Sequence, residues 1–174
     1  GMKKNSTRTK ISTLTLLLLL TMSIIAISLP NVSAQEILTK KTYAICGVTP
    51  NPVGVNQDVL IHVGITDYLQ ITTDGWEGLT VTVTKPDATT ETLGPFRTDS
   101  TGSTGTLYIP TMVGTYTFQT HFPATEYTFV IPPIFQPDLV GTTILYEASS
   151  SEEVELVVQT ETLQFYQGRP LPNE

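Results

Sequence analysis

Apolar and polar residues alternate along most of the chain after residue 34. The pattern is clearest in Gly114–Phe122, where Tyr116, Phe118 and Phe122 fall at even steps while Thr, Gln and His fill the odd ones. Side chains of a β-strand point alternately to its two faces, so this period predicts a strand with a buried aromatic face and a solvated polar face. The polar faces of the predicted strands are rich in threonine, and we expect them to be poor docking sites.

Short segments with the same alternation recur between turn signals, and seven of them span residues 43–159. They are residues 43–48, 59–65, 79–84, 89–96 with an interruption at Gly94-Pro95, 106–109, 114–122 and 154–159. The order Gly-x-Tyr-x-Phe resembles the tyrosine corner of immunoglobulin-like domains, with Phe118 in the place of the disulfide cysteine. The expected fold class is therefore all-β, an immunoglobulin-like antiparallel β-sandwich of about seven strands preceded by an N-terminal hydrophobic signal helix.

The first 34 residues have the composition of a secretory signal peptide. Four basic residues precede an uncharged apolar run at 14–29, and small residues stand at the −3 and −1 positions of a cleavage site after Ala34. Gly1 is interpreted as a cloning remnant. An uncleaved membrane anchor is the alternative, because the apolar run is nearly long enough to span a bilayer. In either case we expect residues from Gln35 onward to be secreted or held at the extracellular face of the cell membrane.

Removal of that segment leaves a strongly acidic chain. Residues 35–174 keep five of the nine basic residues and all 16 acidic ones, which is a net charge of −11. Such a surface repels phosphate backbones, so we expect no nucleic-acid partner. Cys46 is the only cysteine, so no internal disulfide can form, and its place on a predicted strand indicates a small buried thiol.

Reactive side chains do not converge in the sequence. His62 and His121 both fall in the middle of predicted strands, on the outer faces and without a nucleophile elbow. No Cys/His cluster has metal-ligand spacing, although a loose calcium site in the acidic loop 67–77 stays open as an alternative. We therefore expect no enzyme activity, and no catalytic, cofactor-binding or metal-binding residue.

The only tryptophan, Trp76, lies in a predicted loop. It either folds back to cap one end of the core or is exposed and stacks on a sugar or a neighbouring domain. The long Pro-rich insertion at 123–148 is expected to contain no regular element, yet it carries too many large apolar residues for a freely solvated loop. We expect it either to fold onto its own domain or to dock elsewhere. The candidate contact surface consists of Trp76, Tyr127, Phe129, Ile131 and Phe135.

Four phrases resemble an immunoglobulin-like module of exported archaeal proteins, in which a β-propeller of pyrroloquinoline-quinone-dehydrogenase-like repeats follows the module. They are TPNPVGVNQ from Thr49, GWEGLTVTVTKPD from Gly75, GPFRTDSTG from Gly94 and VGTYTFQTHFP from Val113. The chain contains no propeller repeat and no cofactor-contacting residue. The resemblance therefore implies a non-catalytic accessory module to which no quinone chemistry carries over.

The expected organisation is a signal peptide at 1–34, a linker at 35–42, the sandwich at 43–159 and a truncated C-terminal linker at 160–174. The expected function is that of a structural or docking domain of an exported cell-surface protein. Binding of an extracellular polysaccharide or another polymer is the alternative. The expected partner is a downstream β-propeller domain or another cell-surface protein, and the membrane is contacted only through an uncleaved N-terminal segment.

Overall fold

Residues 38–130 and 137–164, which the computed structural model describes, fold almost entirely into β-strands. The strands are β1 (Leu38–Lys40), β2 (Ala44–Thr49), β3 (Val53–Gly54), β4 (Val59–Ile65), β5 (Glu77–Thr84), β6 (Thr90–Arg97), β7 (Ser103–Tyr108), β8 (Gly114–Phe122), β9 (Thr125–Thr128), β10 (Thr143–Tyr146), β11 (Ser149–Ser150) and β12 (Val154–Gln159). One 3₁₀ turn, Pro137–Leu139, precedes β10. The expected all-β class is confirmed, and each of the seven predicted strands overlaps an observed one. The predicted signal helix lies outside the described residues.

The strands form three sheets. The largest has the order β3-β12-β8-β5-β6, with β11 pairing with β8 outside this order, and the second has the order β2-β4-β7. All neighbours in these two sheets are antiparallel except β3 and β12, which are parallel. A third, smaller sheet has the order β1-β10-β9, in which β1 lies parallel to β10.

One hydrophobic core lies between the two larger sheets. It is built from alternate residues of their strands, as the period of two requires. The core residues of β4, β5, β8 and β12 are Val59, Ile61, Val63, Ile65, Leu79, Val81, Val83, Tyr116, Phe118, Phe122, Leu156 and Val158. Because no disulfide joins the sheets, these side chains hold them together by packing.

The centre of this core is β8, and its predicted register is confirmed. Tyr116, Phe118 and Phe122 are buried, whereas Thr117 between them is only partly so. Phe118 makes an edge-to-face contact with Tyr108, with ring centroids 5.4 Å apart. The hydroxyl of Tyr116 accepts a hydrogen bond of 3.0 Å from the backbone N–H of Met112, which fastens the corner before β8 to the strand itself.

The insertion between β8 and β12 contains regular structure, so that expectation is wrong for its described part. β9 and β10 pair antiparallel, with Tyr127 opposite Ile144, and β1 adds to the other side of β10, with Leu38 opposite Ile144. Residues 38–40 were expected to be linker and instead form this edge strand. Strands of three or four residues are too short for their alternation to stand out, and β1 and β10 are about a hundred residues apart in the chain.

Two smaller expectations also need correction. β6 continues through Gly94-Pro95, because register shifts in its pairing with β5 and a positive φ of 106° at Gly94 absorb the irregularity. Residues 160–164 are not a free linker. The N–H of Leu163 donates to the side-chain oxygen of Gln57 at 2.7 Å, and the Leu163 side chain packs against the core.

Candidate functional site: a cleft beside Trp76

Trp76 is buried at the end of the core where β5 begins and β8 ends. Its side chain is 1% exposed and its ring lies 4.5 Å from that of Tyr146 and 5.7 Å from that of Phe122, centroid to centroid. The indole N–H donates to the carbonyl oxygen of Asp67 at 2.7 Å, so its one polar group is satisfied. The capping interpretation is confirmed, and the alternative of an exposed Trp76 that stacks on a ligand is wrong.

The backbone of the Trp76 loop is held close to Thr98, the residue that follows β6. The Trp76 N–H donates to the hydroxyl of Thr98 at 2.8 Å. A Cβ atom at Gly75 would stand 1.9 Å from the carbonyl oxygen of Thr98, so no other residue fits there without a backbone shift. The glycine before Trp76 is therefore a packing requirement of the cap.

The insertion folds down onto this cap. Tyr127 of β9 lies 5.8 Å from Trp76, ring to ring, and its hydroxyl donates to the Asp74 carboxylate at 2.8 Å. Phe129 meets the Tyr127 ring edge-on at 5.2 Å. Of the candidate contact surface, the structure thus brings Trp76, Tyr127 and Phe129 together, but as packing within the domain. Ile131 and Phe135 lie outside the described residues.

A cleft of about 420 Å³ opens between this insertion, β1 and the segment at residues 67–70. Ile144 and the buried ring of Tyr146 line it from β10, Leu38 lines it from β1, and Phe129 closes one side. Tyr68 stands on the 67–70 side and is 61% exposed. Clefts in which an apolar lining surrounds a few polar groups are the usual form of ligand sites, so this cleft is the candidate site of the described residues.

Its polar groups carry no net charge. The Lys40 ammonium pairs with the Asp67 carboxylate and lies 5.5 Å from the centre of the Tyr146 ring. Burial, with a further contribution from Asp67, raises the pKa of Tyr146 to about 12, so its phenol is neutral at physiological pH. Thr39 and Gln70 add a hydroxyl and an amide to the lining. On an acidic chain, this neutral aromatic cleft suits an uncharged ligand with apolar faces and hydroxyl or amide groups.

Sequence reasoning missed most of this lining. Leu38 and Lys40 were assigned to a linker, and Tyr68 was absorbed into a loop considered mainly for its acidic residues. The alternation in Thr143–Tyr146 was the one available signal, since it puts Ile144 and Tyr146 on the same face. The loop carboxylates are used within the domain: Asp67 pairs with Lys40 and Asp74 accepts from Tyr127. Within 38–130 and 137–164, no three His, Cys, Asp or Glu side chains come together as a metal site.

The two histidines lie on outer faces as expected. His62 is exposed, whereas His121 is half-buried, with its Nε2 2.9 Å from the Thr82 hydroxyl and its Nδ1 2.8 Å from the Ser150 hydroxyl. The contact with Ser150 arises because β11 pairs with β8. β11 has only two residues, so its pairing could not be predicted from a sequence pattern. A serine nucleophile needs a histidine base that a third group orients and stabilises as a cation. A neutral threonine hydroxyl stands at that place here, so this pair is a hydrogen-bonded surface contact.

Cys46 is only half-buried on β2, where a buried thiol was expected. Burial nevertheless raises the pKa of the Cys46 thiol, and interactions with Thr120 of β8 act in the opposite direction. The thiol is therefore protonated at neutral pH and is a poor nucleophile.

Across the two described stretches, no helix is long and apolar enough to cross a membrane. The apolar run at 14–29 lies outside them. In comparisons with protein families, curated proteins and solved structures, the chain matches no family model, no curated protein and no solved structure.

Proposed function

We propose that the chain is a non-catalytic, extracellular immunoglobulin-like module that serves as a structural or docking domain of an exported cell-surface protein. The order of the strands supports the immunoglobulin-like assignment. β2, β4 and β7 take the places of strands A, B and E, while β5, β8 and β12 take those of C, F and G, and β6 is added beside C. The hydrogen bond between Tyr116 and Met112 supplies the tyrosine corner at the start of strand F.

The observation that carries the structural role is that the chain enters and leaves at opposite ends of the core. Leu38 lies at the Trp76 end, because β1 pairs with β10 beside the cleft. Leu163 is fastened to Gln57 at the other end, where β8 begins opposite the last residues of β12. The nine residues of β8 span about 30 Å between these ends. A module built in this way keeps residues 38 and 163 at opposite ends of the core.

This arrangement also bears on the partner. Residue 163 is fastened at the end away from the cleft, and residues 165–174 span at most about 35 Å when fully extended. A domain after them, whether the β-propeller of the resemblance or another cell-surface domain, would therefore reach the Gln57 end with a relaxed chain and the cleft only with a nearly extended one. We assign the cleft to a separate molecule and the Gln57 end to the covalent neighbour.

A distance measurement on the exported full chain tests the structural role. Spin labels at Thr39→Cys and Thr162→Cys, both exposed, would be placed in a Cys46→Ser background. Electron–electron resonance should give a narrow distribution near or above about 30 Å, the span of β8. A broad distribution, or a short distance, would contradict a rigid module that separates its two ends.

The cleft favours a second function, the binding of a neutral extracellular polysaccharide. Exposed aromatic rings such as Tyr68 stack on sugar faces, and the hydroxyl of Thr39 matches sugar hydroxyls. Trp76 contacts Tyr146 in the cleft wall, so its fluorescence should report binding of neutral oligosaccharides. Tyr68→Ala should abolish a signal that Tyr43→Ala, an equally exposed tyrosine outside this cleft, leaves intact. A wild-type chain that gives no signal with any neutral oligosaccharide tested would remove this second function and leave the first.

A further inference from the structure

One edge of the β2-β4-β7 sheet is open. β7 pairs with β4 on one side, and within residues 38–130 and 137–164 no strand pairs with its other side. Its six residues, Ser-Thr-Gly-Thr-Leu-Tyr, include no charged residue and no proline, and its pairing with β4 shows no register shift. An edge of this kind can pair with another strand.

The other edges are protected in ways that β7 is not. β6, at the edge of the largest sheet, carries Glu91, Pro95 and Arg97 and is irregular in register. β3 is only two residues long. β2 is followed directly by Pro50, whereas the first proline after β7, Pro110, stands two residues beyond its end. In the third sheet, the edge strands β1 and β9 have only three and four residues and carry Lys40 and Glu126. Charges, prolines, bulges and short length are the features that prevent edge pairing, so β7 is the least protected of these edges.

The outer face of the β2-β4-β7 sheet is uncharged, whereas on the core side Tyr108 at the end of β7 contacts Glu91 of β6. Leu107 is 66% exposed, and it stands opposite Leu60 of β4 on the outer face of the sheet. His62 stands opposite Gly105 in the next row of that face. The outward positions of β2, β4 and β7 include no Asp, Glu, Lys or Arg. For a chain whose residues 35–174 carry a net charge of −11, this is a surface where two copies meet with little repulsion.

We propose that β7 pairs antiparallel with β7 of a second copy of this chain, so that the two three-stranded sheets join across a two-fold axis. A two-fold axis at Thr106 places Leu107 of each copy opposite Gly105 of the other, so the same contact forms twice. Gly105 has no side chain of its own, and Leu60 lies within 3.2 Å of the point where its Cβ would stand, so the partner's Leu107 would meet the apolar side chain of Leu60 there. The same axis places the Thr106 residues of the two copies directly opposite one another.

Sedimentation equilibrium of the exported full chain tests the association. The wild-type chain should show a monomer–dimer equilibrium, and Leu107→Lys should shift it to monomer. The added lysine makes the net charge less negative, so the loss could not come from greater overall repulsion. The matched control Ile45→Lys changes the same face on β2, which β4 separates from β7, and should keep the dimer. A wild-type chain that is monomeric at every concentration, or equal losses in both variants, would overturn the proposal.

Cross-linking tests the register and does not depend on how Leu107→Lys folds. Residues opposite one another in an antiparallel pair have Cα atoms about 4.5–5.5 Å apart, within the range of a disulfide. In a Cys46→Ser background, Thr106→Cys should form a covalent dimer under mild oxidation. Thr104→Cys lies opposite Tyr108 of the second copy in this register and should form no covalent dimer. Absence of the Thr106→Cys cross-link, or an equal yield from Thr104→Cys, would exclude the proposed pairing.

Discussion

The two sheets that share the core present different outer faces. The larger sheet carries Thr82, Thr117 and His121 on its outer side, and Thr82 and His121 are joined by a hydrogen bond. The β2-β4-β7 sheet carries Leu60 opposite Leu107, and both side chains are exposed. The outer face of the larger sheet is therefore threonine-rich as expected, whereas that of the β2-β4-β7 sheet is not, and the expectation that the threonine-rich faces are poor docking sites stays a prediction. Alternation decides which residues face inward, but the chemistry of the outward residues is free to differ between sheets.

The largest expected effect contrasts the two faces of one strand. Phe118→Ala should lower the free energy of unfolding by about 3–5 kcal/mol, because it empties a large buried aromatic site. That is a large share of the ~5–15 kcal/mol typical of a domain. Thr117→Ala, on the outer face of β8, should change it by less than about 0.5 kcal/mol. Urea denaturation measures both, and similar losses in the two variants would contradict the assigned faces.

A second effect appears at alkaline pH and concerns the insertion, which lies beside both sheets. Burial, together with hydrogen bonding to Asp74, raises the pKa of Tyr127 to about 12, and burial raises the pKa of Tyr146 to about 12. Because these folded-state values exceed the ordinary value of 10, their stabilisation is complete below pH 10 and is lost as pH rises from 10 through 12. The midpoint of urea unfolding should fall over this range, less steeply in a Tyr127→Phe/Tyr146→Phe variant. Tyr43→Phe is the control, and a slope unchanged by the double substitution would refute the assignment.

A smaller effect is expected at acidic pH, at a contact that joins the two sheets. Tyr108 of β7 donates a hydrogen bond of 2.7 Å to Glu91 of β6. This bond, with help from Lys85, lowers the pKa of the Glu91 carboxyl. Its stabilisation is therefore complete above the ordinary value of 4.5 and is lost as pH falls through the lowered pKa. Glu91→Gln should flatten that dependence only slightly, because the Glu91 side chain is 36% exposed and solvent screens the contact. A steep acid transition that Glu91→Gln abolishes would mean that this contact is far stronger than its exposure implies.

The smallest effect on stability is expected from exchanging the chemistry of the outer faces. Leu107→Thr and Thr115→Leu should each change the free energy of unfolding of the monomer by no more than about 0.5 kcal/mol, since both sites are exposed. Retention on a hydrophobic column should nevertheless decrease for Leu107→Thr and increase for Thr115→Leu. If neither variant changes retention, the difference between the two faces has no consequence for docking.

Several elements could be predicted from the sequence because their signal is local. The runs in β4, β5, β8 and β12 are six residues or longer, so a period of two is unambiguous and settles which side chains are buried. The burial of Phe118 follows from that period alone. For Trp76, a lone aromatic residue between two glycines, the sequence left two interpretations open, because no period exists in a loop.

What only the tertiary structure decided depends on contacts between distant parts of the chain. β1 meets β10 across about a hundred residues, and this pairing brings Lys40 to Asp67 and completes the cleft. The burial of Trp76 likewise depends on Tyr146, seventy residues later. Alternation of side chains is a property of a few consecutive residues and is written in the sequence. The neighbour of each strand and the side of a sheet left open depend on how the chain closes its loops, since strand pairing takes its stability from packing with residues far along the chain.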